Sequence, residues 1–386
     1  MYLRFLFLII ALSSGLQPLS SAAMPTFRTM AKQAILIDAN TGKILFEKDA
    51  YTLMYPSSMT KIMTAYMVFD QLKQGRLQLD DAFTVSKYAW RKGGSRMFLN
   101  VDTQARVEEL IRGVIVQSGN DASIVLAEGL SGNETAFAAE MSKRAHELGA
   151  KNTTFRNATG WPDPKHLSTA YDLAILSDRL IKDFPDYYQT YFAETEYTYN
   201  KIRQMNRNPL LYRNIGADGL KTGQTSVGGF GLVASAVQKG MRLILVINGL
   251  KTKGERARES ESLMLWGFRN FLTPHIYAAG EEVVRANLWL GNEPDVGLVA
   301  EKDLYVTVPR VQAKNLKVEV HFNEPITAPV RGGDVVGKVV VTCPDGEVKE
   351  VDLKIDHSVG KAGFSERIRA ALYYLFWGHN QKQTTA

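Results

Sequence analysis

An α+β fold, with helices packed on an antiparallel sheet and a small all-β unit behind it, is what this 386-residue sequence predicts. Two hairpin-like pairs of apolar runs stand near the two ends of the region 33–280, and helical stripes fill its middle. Helices collected in the centre of a segment, with strands at its edges, favour an antiparallel sheet over a βαβ array. After residue 283 the helical period disappears and short alternating runs take over, the pattern of a separate β unit.

Each element follows in order. Met1-Tyr2-Leu3-Arg4 carries one positive charge and leads into an apolar stretch over 5–12, then small residues ending Ser21-Ala22-Ala23. That is a secretory signal cut after Ala23, its apolar run too short to span a bilayer. Runs 34–38 and 43–47 flank Asn40-Thr41-Gly42, a hairpin turn. Met59, Ile62, Met63, Tyr66, Met67 and Val68 form a helical stripe after Pro56 that reads as core, and 107–130 reads as helix, turn, helix. Runs 231–237 and 243–247, joined by Lys239-Gly240, make a second hairpin.

Runs 304–308, 316–320 and 335–342, with turns such as Asp345-Gly346, build the β unit. Ser358-Val359-Gly360 reads as a linker. Beyond it Phe364, Ile368, Ala371, Leu372 and Leu375 share one helical face, with Glu366, Arg367 and Arg369 off it. This helix is too short to cross a membrane and reads as lying in its interface, Lys361, Arg367 and Arg369 near anionic headgroups. The competing reading docks it on the protein's own core. The expected units are a signal (1–23), the main α+β domain (24–282), a small all-β domain (283–357), and a linker, amphipathic helix and polar tail (358–386).

Composition narrows the function. With 45% hydrophobic, 22% charged and 10% aromatic residues the chain is neither disordered, collagen-like nor a multi-span membrane protein. The net charge of +6 is spread along the chain; it fits a nucleic-acid binder and equally an exported protein beside an acidic surface, and the second is adopted, with no nucleic-acid partner expected. The single cysteine, Cys343, excludes an intramolecular disulfide and a cysteine-based zinc cluster, and reads as a small buried hydrophobe. Six histidines without HxH or HxxxH spacing give no expected metal site, and no cofactor is expected.

Three short motifs carry chemistry. Ser58 and Lys61, in Pro56-Ser57-Ser58-Met59-Thr60-Lys61, stand three apart at a helix start, so hydroxyl and amine share a face. A serine becomes a nucleophile when a base takes its proton, and a lysine whose pKa is lowered by burial and neighbouring cations can be that base. The helix N-terminus favours an alkoxide there. Alone the motif is weak, since SxxK arises by chance roughly once in a chain of this length and composition. Ser358-Val359-Gly360-Lys361 matches it by accident in the linker.

Ser118-Gly119-Asn120 comes second: a buried hydroxyl to relay a proton, and an amide to orient lysine and substrate. Its decoy, Ser131-Gly132-Asn133, reads as a capping box of Ser131 with Glu134. Third, Asp218-Gly219-Leu220-Lys221-Thr222-Gly223-Gln224 offers an edge strand for an anion. Lys221 supplies charge, Thr222 a hydrogen bond, and Gly223 room for substrate backbone.

SxxK, SxN and KTG in this order on an exported chain resemble the serine penicillin-binding protein and β-lactamase superfamily, and specifically the low-molecular-mass D-alanyl-D-alanine carboxypeptidases. The resemblance covers the signal, the β-lactamase/transpeptidase-like domain, the small β domain and the C-terminal anchor. It implies Ser58 as acyl-ester nucleophile, Lys61 as general base, Ser118 and Asn120 as the second catalytic element, and Lys221 and Thr222 as the substrate-carboxylate site. It further implies an oxyanion hole from the backbone N–H groups of Ser58 and Gln224, and Arg256 as a second carboxylate ligand, with Arg258 close enough in sequence to compete. The implied substrate is a peptidoglycan stem peptide ending D-Ala-D-Ala, the implied inhibitors are β-lactams, and the implied location is the periplasmic face of the inner membrane. Gln224 departs from several relatives, which carry histidine after KTG; a glutamine does not titrate near neutral pH.

Three other functions share parts of this pattern. A class A β-lactamase deacylates through a glutamate in an ExxLN segment; Glu196-Tyr197-Thr198-Tyr199-Asn200 has the spacing but not the leucine, and lies close to KTG. An endopeptidase of cross-links uses the same machinery, and a non-catalytic cell-wall binding protein would take no covalent adduct.

Overall fold

A computed structural model describes residues 26–377; the signal at 1–23 and the end of the polar tail lie outside the described residues. The main sheet has five strands: β1 (Gln33–Asp38), β2 (Ile44–Lys48), β3 (Ala217–Thr225), β4 (Gly229–Gln238) and β5 (Met241–Leu250), in the order β2-β1-β5-β4-β3. Every pairing in it is antiparallel, so the expected topology is observed. Both hairpin turns form where the sequence placed them. The step from β1 to β5 joins segments about two hundred residues apart, and it leaves β3, the KTG strand, on the sheet edge.

The helical middle packs against this sheet. It comprises α1 (Lys61–Lys73), α2 (Lys87–Arg91), α3 (Val107–Ile115), α4 (Asn120–Ser131), α5 (Glu134–Glu147), α6 (Ala170–Asp183) and α7 (Pro185–Tyr191). The stripe Met59, Ile62, Met63, Tyr66, Met67 and Val68 is buried, and with Ile35, Ile37, Val233 and Ile244 it forms one core between helices and sheet. Burying such side chains contributes about 1.5–3 kcal/mol each, and anchoring α1 this way fixes the residues at its N-terminus. The other sheet face packs on α8 (Lys253–Asn270) through Leu263, Met264 and Phe268.

One cap differs from expectation. Ser131 ends α4, Gly132 follows at φ 76°, and Asn133 caps α5 by accepting from the Ala136 N–H at 2.8 Å. Ser131 instead donates to Glu140, and Glu134 accepts from the Ala158 N–H and the Tyr88 hydroxyl. The left-handed glycine separates the two helices, so the residue after it takes the capping position.

The second unit is a sheet of β6 (Glu282–Trp289), β7 (Asp295–Ala300), β8 (Lys317–Phe322), β9 (Ile326–Thr327), β10 (Val335–Thr342) and β11 (Val348–Ile355), ordered β8-β10-β11-β7-β6-β9. Cys343 is buried in its core. The unit gathers in both flanks of the expected range: His275–Tyr277 pairs with Leu304–Tyr305, while Val359 bridges Val330 and Lys361 bridges Gly291. The expected linker at Ser358 is thus tied to the sheet, Ser358 Oγ accepting from the Gly332 N–H.

Contacts fix the β unit to the far end of the main sheet. Asp38 accepts from Thr307 at 2.6 Å and from Thr273, Lys43 pairs with Asp345 and Glu347, and Arg310 donates to the carbonyls of Phe268 and Arg269. An 18-residue helix is about 27 Å long, so α8 separates this junction from the β3 edge, which its N-terminus adjoins. The chain's last described element is α9 (Phe364–Trp377).

Candidate active site

Ser58 sits in a 3-10 turn (Ser57–Thr60) that runs directly into α1, whose first residue is Lys61. The turn rests on a glycine shelf. A Cβ on Gly223 would lie 2.9 Å from the Pro56 carbonyl oxygen and 3.2 Å from Ser57 Cβ; one on Gly231, its cross-strand partner, would lie 2.8 Å from Met59 Cε. Gly223 therefore gives room to the Ser57–Thr60 turn rather than to substrate backbone, because its missing side chain faces the protein. From the other side, a Cβ on Gly160 would fall 1.8 Å from the Ser57 carbonyl oxygen. Ser57 itself holds φ 51°, and such strain in a non-glycine residue persists only where packing over-determines it.

Lys61 is 1% exposed, and its amine has three neighbours: Thr159 carbonyl at 2.7 Å, Asn120 Oδ1 at 2.8 Å and Ser58 Oγ at 3.3 Å. Burial above all, helped by the Arg207 and Lys92 charges and opposed by Asp121 and Glu134, brings the amine down to about 7. A neutral amine has two N–H donors and one lone pair. The two short contacts go to groups that only accept, which leaves the lone pair for the serine hydroxyl. That is the geometry of a base poised to take the Ser58 proton.

The second motif forms the opposite wall. Ser118 is buried in the turn between α3 and α4 at φ 58°, and its side chain lines the cleft. Asn120, the first residue of α4, accepts from Lys61 and donates through Nδ2 to the Gly93 carbonyl at 2.8 Å. The amide thus joins the lysine to the 93–95 loop. Behind it Asp121 accepts from the N–H groups of Met97, Phe98 and Leu99, fixing that loop.

The third wall is β3. Lys221 and Thr222 are buried, Gln224 is exposed, and Arg256 reaches in from the first turns of α8 while Arg258 faces solvent. The cavity so enclosed measures about 490 Å³ and is lined by Ser58, Ser95, Ser118, Arg207, Thr222, Gly223, Gln224, Lys253 and Arg256. None of these is acidic. Burial, with Lys61, Arg207 and Arg256 nearby, holds the Lys221 amine well below its ordinary value, and burial beside Arg207 brings Arg256 down to about 10. Arg256 Nε is buried without a hydrogen-bond partner among the described residues. Crowded cations and a buried donor free to bond make this a site suited to an anion.

All nine residues singled out in the sequence converge on this cleft or its immediate wall. The sequence reading missed the loop that holds Lys61. Asn157 Oδ1 accepts from the N–H groups of Thr159, Gly160 and Trp161, a local turn that aims the Thr159 carbonyl at the amine. His166 locks the same loop to the Ser57–Thr60 turn: its Nδ1 accepts from the Arg156 N–H, so Nε2 carries the proton and donates to Thr60 Oγ1 at 2.8 Å. Burial, together with the Lys61 and Arg156 charges, keeps this ring neutral, its pKa lowered to about 4. Asn157-Ala158-Thr159-Gly160 is legible as a turn, but nothing in it points to Ser58. Arg207, Ser95 and Lys253 carried no signal at all.

Glu196, weighed as a deacylating glutamate, lies on a two-stranded ribbon (Glu196–Tyr199 with Ile202–Met205), is bonded to Arg203 and does not line the cleft.

With that geometry established, the similarities to known proteins are extensive. Residues 20–252 match the family model described as D-alanyl-D-alanine carboxypeptidase, and residues 271–361 match the C-terminal domain of penicillin-binding protein 5. D-alanyl-D-alanine carboxypeptidase DacC of Escherichia coli is 42% identical over 346 residues, 88% of this chain and 86% of the relative. Penicillin-binding protein 5 from Haemophilus influenzae superposes with a TM-score of 0.77 at 38% identity, covering 88% of this chain and all of that one. Penicillin-binding protein D2 from Listeria monocytogenes in its cefotaxime-bound form matches with a TM-score of 0.59 at 29% identity, covering 63% of this chain and 99% of the other.

Proposed function

The chain belongs to the D-alanyl-D-alanine carboxypeptidase family, and within that chemistry we propose that Ser58 is the nucleophile and Lys61 its general base. The protein is a serine-type hydrolase that removes the terminal D-alanine from peptidoglycan pentapeptide stems and binds β-lactams. The observation that carries the assignment is the Lys61 amine, set 3.3 Å from Ser58 Oγ by two shorter bonds to pure acceptors.

The steps follow from the walls of the cleft. Thr222, Lys221 and Arg256 hold the terminal carboxylate, an anion that suits their crowded positive charge. Lys61 takes the Ser58 proton as Oγ attacks the penultimate carbonyl. The oxyanion rests on the N–H groups of Ser58 and Gln224, each worth about 3 kcal/mol by the usual scale of such donors. Ser118 passes the proton from the lysine to the departing amine, the C–N bond breaks, and D-alanine leaves. Water then attacks the acyl-ester, with Lys61 again the base. A β-lactam opens on Ser58 by the same attack, but its leaving amine stays tethered, so the ester persists.

Lys221→Ala should lower kcat/KM for a peptide with a free terminal carboxylate about 100-fold, yet barely change that for its C-terminal amide, because only the former uses the cation. Steady-state kinetics on the two peptides checks this; equal losses would remove Lys221 from carboxylate binding.

We divide the chain into a catalytic unit over 24–282 and an all-β unit over 283–357, to which strands on both flanks of the second range pair. No described helix is long and apolar enough to cross a membrane. Phe364, Ile368 and Leu372 are exposed at four-residue intervals along α9, which supports a helix lying in a membrane interface rather than on the protein's own core. The protein is then exported and peripheral on the periplasmic face of the inner membrane. Ending the chain at Gly363 should release it from membranes with turnover of soluble pentapeptide unchanged; fractionation and D-alanine assay read both, and a truncated form that stays with membranes refutes the anchor.

A further inference from the structure

Lys87, Arg91, Lys92 and Arg96 fall within ten residues, and no acidic residue occurs between Asp81 and Asp102. The first three lie on or just after α2, with Lys87 and Arg91 exposed and Tyr88 and Trp90 exposed between them. Lys92 Nζ lies 4.8 Å from the Trp161 ring centroid and 5.7 Å from that of Tyr88, and Trp161 is 42% exposed. Arg96 donates to the carbonyls of Lys92 and Trp90, which holds the loop in this shape. The catalytic machinery described above uses none of these rings.

The patch begins at the lip of the cleft. Ser95 lines the cavity, Gly93 accepts from the catalytic-loop Asn120, and Trp161 directly follows Gly160, which packs on the nucleophile turn. With the terminal carboxylate held by Thr222 and Arg256 as proposed above, the remaining lining at Ser95 and Ser118 offers the rest of the substrate a path out of the cavity. We propose that this cationic, aromatic apron is a subsite for an acidic peptide segment upstream of the scissile bond. Lys87, Arg91 and Lys92 receive its carboxylates, and the faces of Trp90 and Trp161 carry its apolar parts. Several like charges on one surface attract such a segment and fix its direction, an effect that weakens with salt. The inference rests on the carboxypeptidase reading for the direction in which the substrate lies.

The test is a binding measurement on the full chain carrying Ser58→Ala, so that no turnover intervenes. The probes are two pentapeptides ending D-Ala-D-Ala with free C-termini, one with its upstream carboxylates free and one with them amidated. The free form should bind about tenfold tighter, and Lys87→Glu with Arg91→Glu should bring the two to parity while circular dichroism and thermal melting stay unchanged. Equal binding of both peptides before substitution, or a preference that survives it, overturns the subsite. Penicillin labelling of the unsubstituted chain tests the catalytic reading separately, since the peptide comparison needs no acylation.

Discussion

Replacing Ser58 with alanine will abolish covalent penicillin labelling and lower D-alanine release by about 10⁴-fold or more, the scale seen when a serine nucleophile is removed. The fold should be untouched. Ser58 is only partly buried, and its hydroxyl takes the longest of the three Lys61 contacts. Its loss strips no short hydrogen bond from the core. Mass spectrometry of the penicillin-treated chain and thermal melting together check the claim. A Ser58→Ala protein that still acquires the adduct, or still turns over pentapeptide at a similar rate, would give the nucleophile's role to another residue.

Lys61→Ala should cost acylation about 10³-fold, within the range that a positioned base contributes. Here stability moves as well, in a direction that the burial dictates. Removing the amine leaves Asn120 Oδ1 and the Thr159 carbonyl unpaired, at about 1–3 kcal/mol each. Against this, the folded protein no longer hides a group that prefers to be charged. Between about pH 7 and the ordinary lysine value of 10.5, the unfolded chain holds a proton on Lys61 that the folded chain does not. Stability therefore rises with pH across that window, and the penalty is complete below it. Denaturant titrations at pH 7 and pH 9.5 should show a steeper gain for the unsubstituted chain than for Lys61→Ala. Equal slopes would mean that the buried amine stays charged.

Much of this site was legible before any coordinates, for physical reasons. SxxK is a local pattern, and two residues three apart on one turn meet regardless of the rest of the chain. The two hairpins were legible because Asn40-Thr41-Gly42 and Lys239-Gly240 are turn chemistry. What no local pattern encodes is proximity between distant segments: β1 against β5, the Thr159 carbonyl on Lys61, or Arg207 in the cleft wall. Gly223 shows the same limit more sharply. Its glycine requirement was readable, but the direction of its missing side chain depends on which face of β3 meets Pro56 and Ser57. The Ser131 cap failed because SxxE is shared by many sequences, whereas the left-handed Gly132 that moves the cap to Asn133 is a backbone fact.

The account stands on a lysine amine that gives up its proton near neutral pH while facing a serine hydroxyl. The most direct measurement is the second-order rate constant for penicillin acylation of the unsubstituted protein from pH 5 to pH 10. It should rise tenfold per pH unit at the acid end, bend near pH 7, and run flat above, as the amine loses its proton and becomes a base. A rate that still climbs towards pH 10 would mean an ordinary, charged lysine, and the catalytic reading of Lys61 would be wrong.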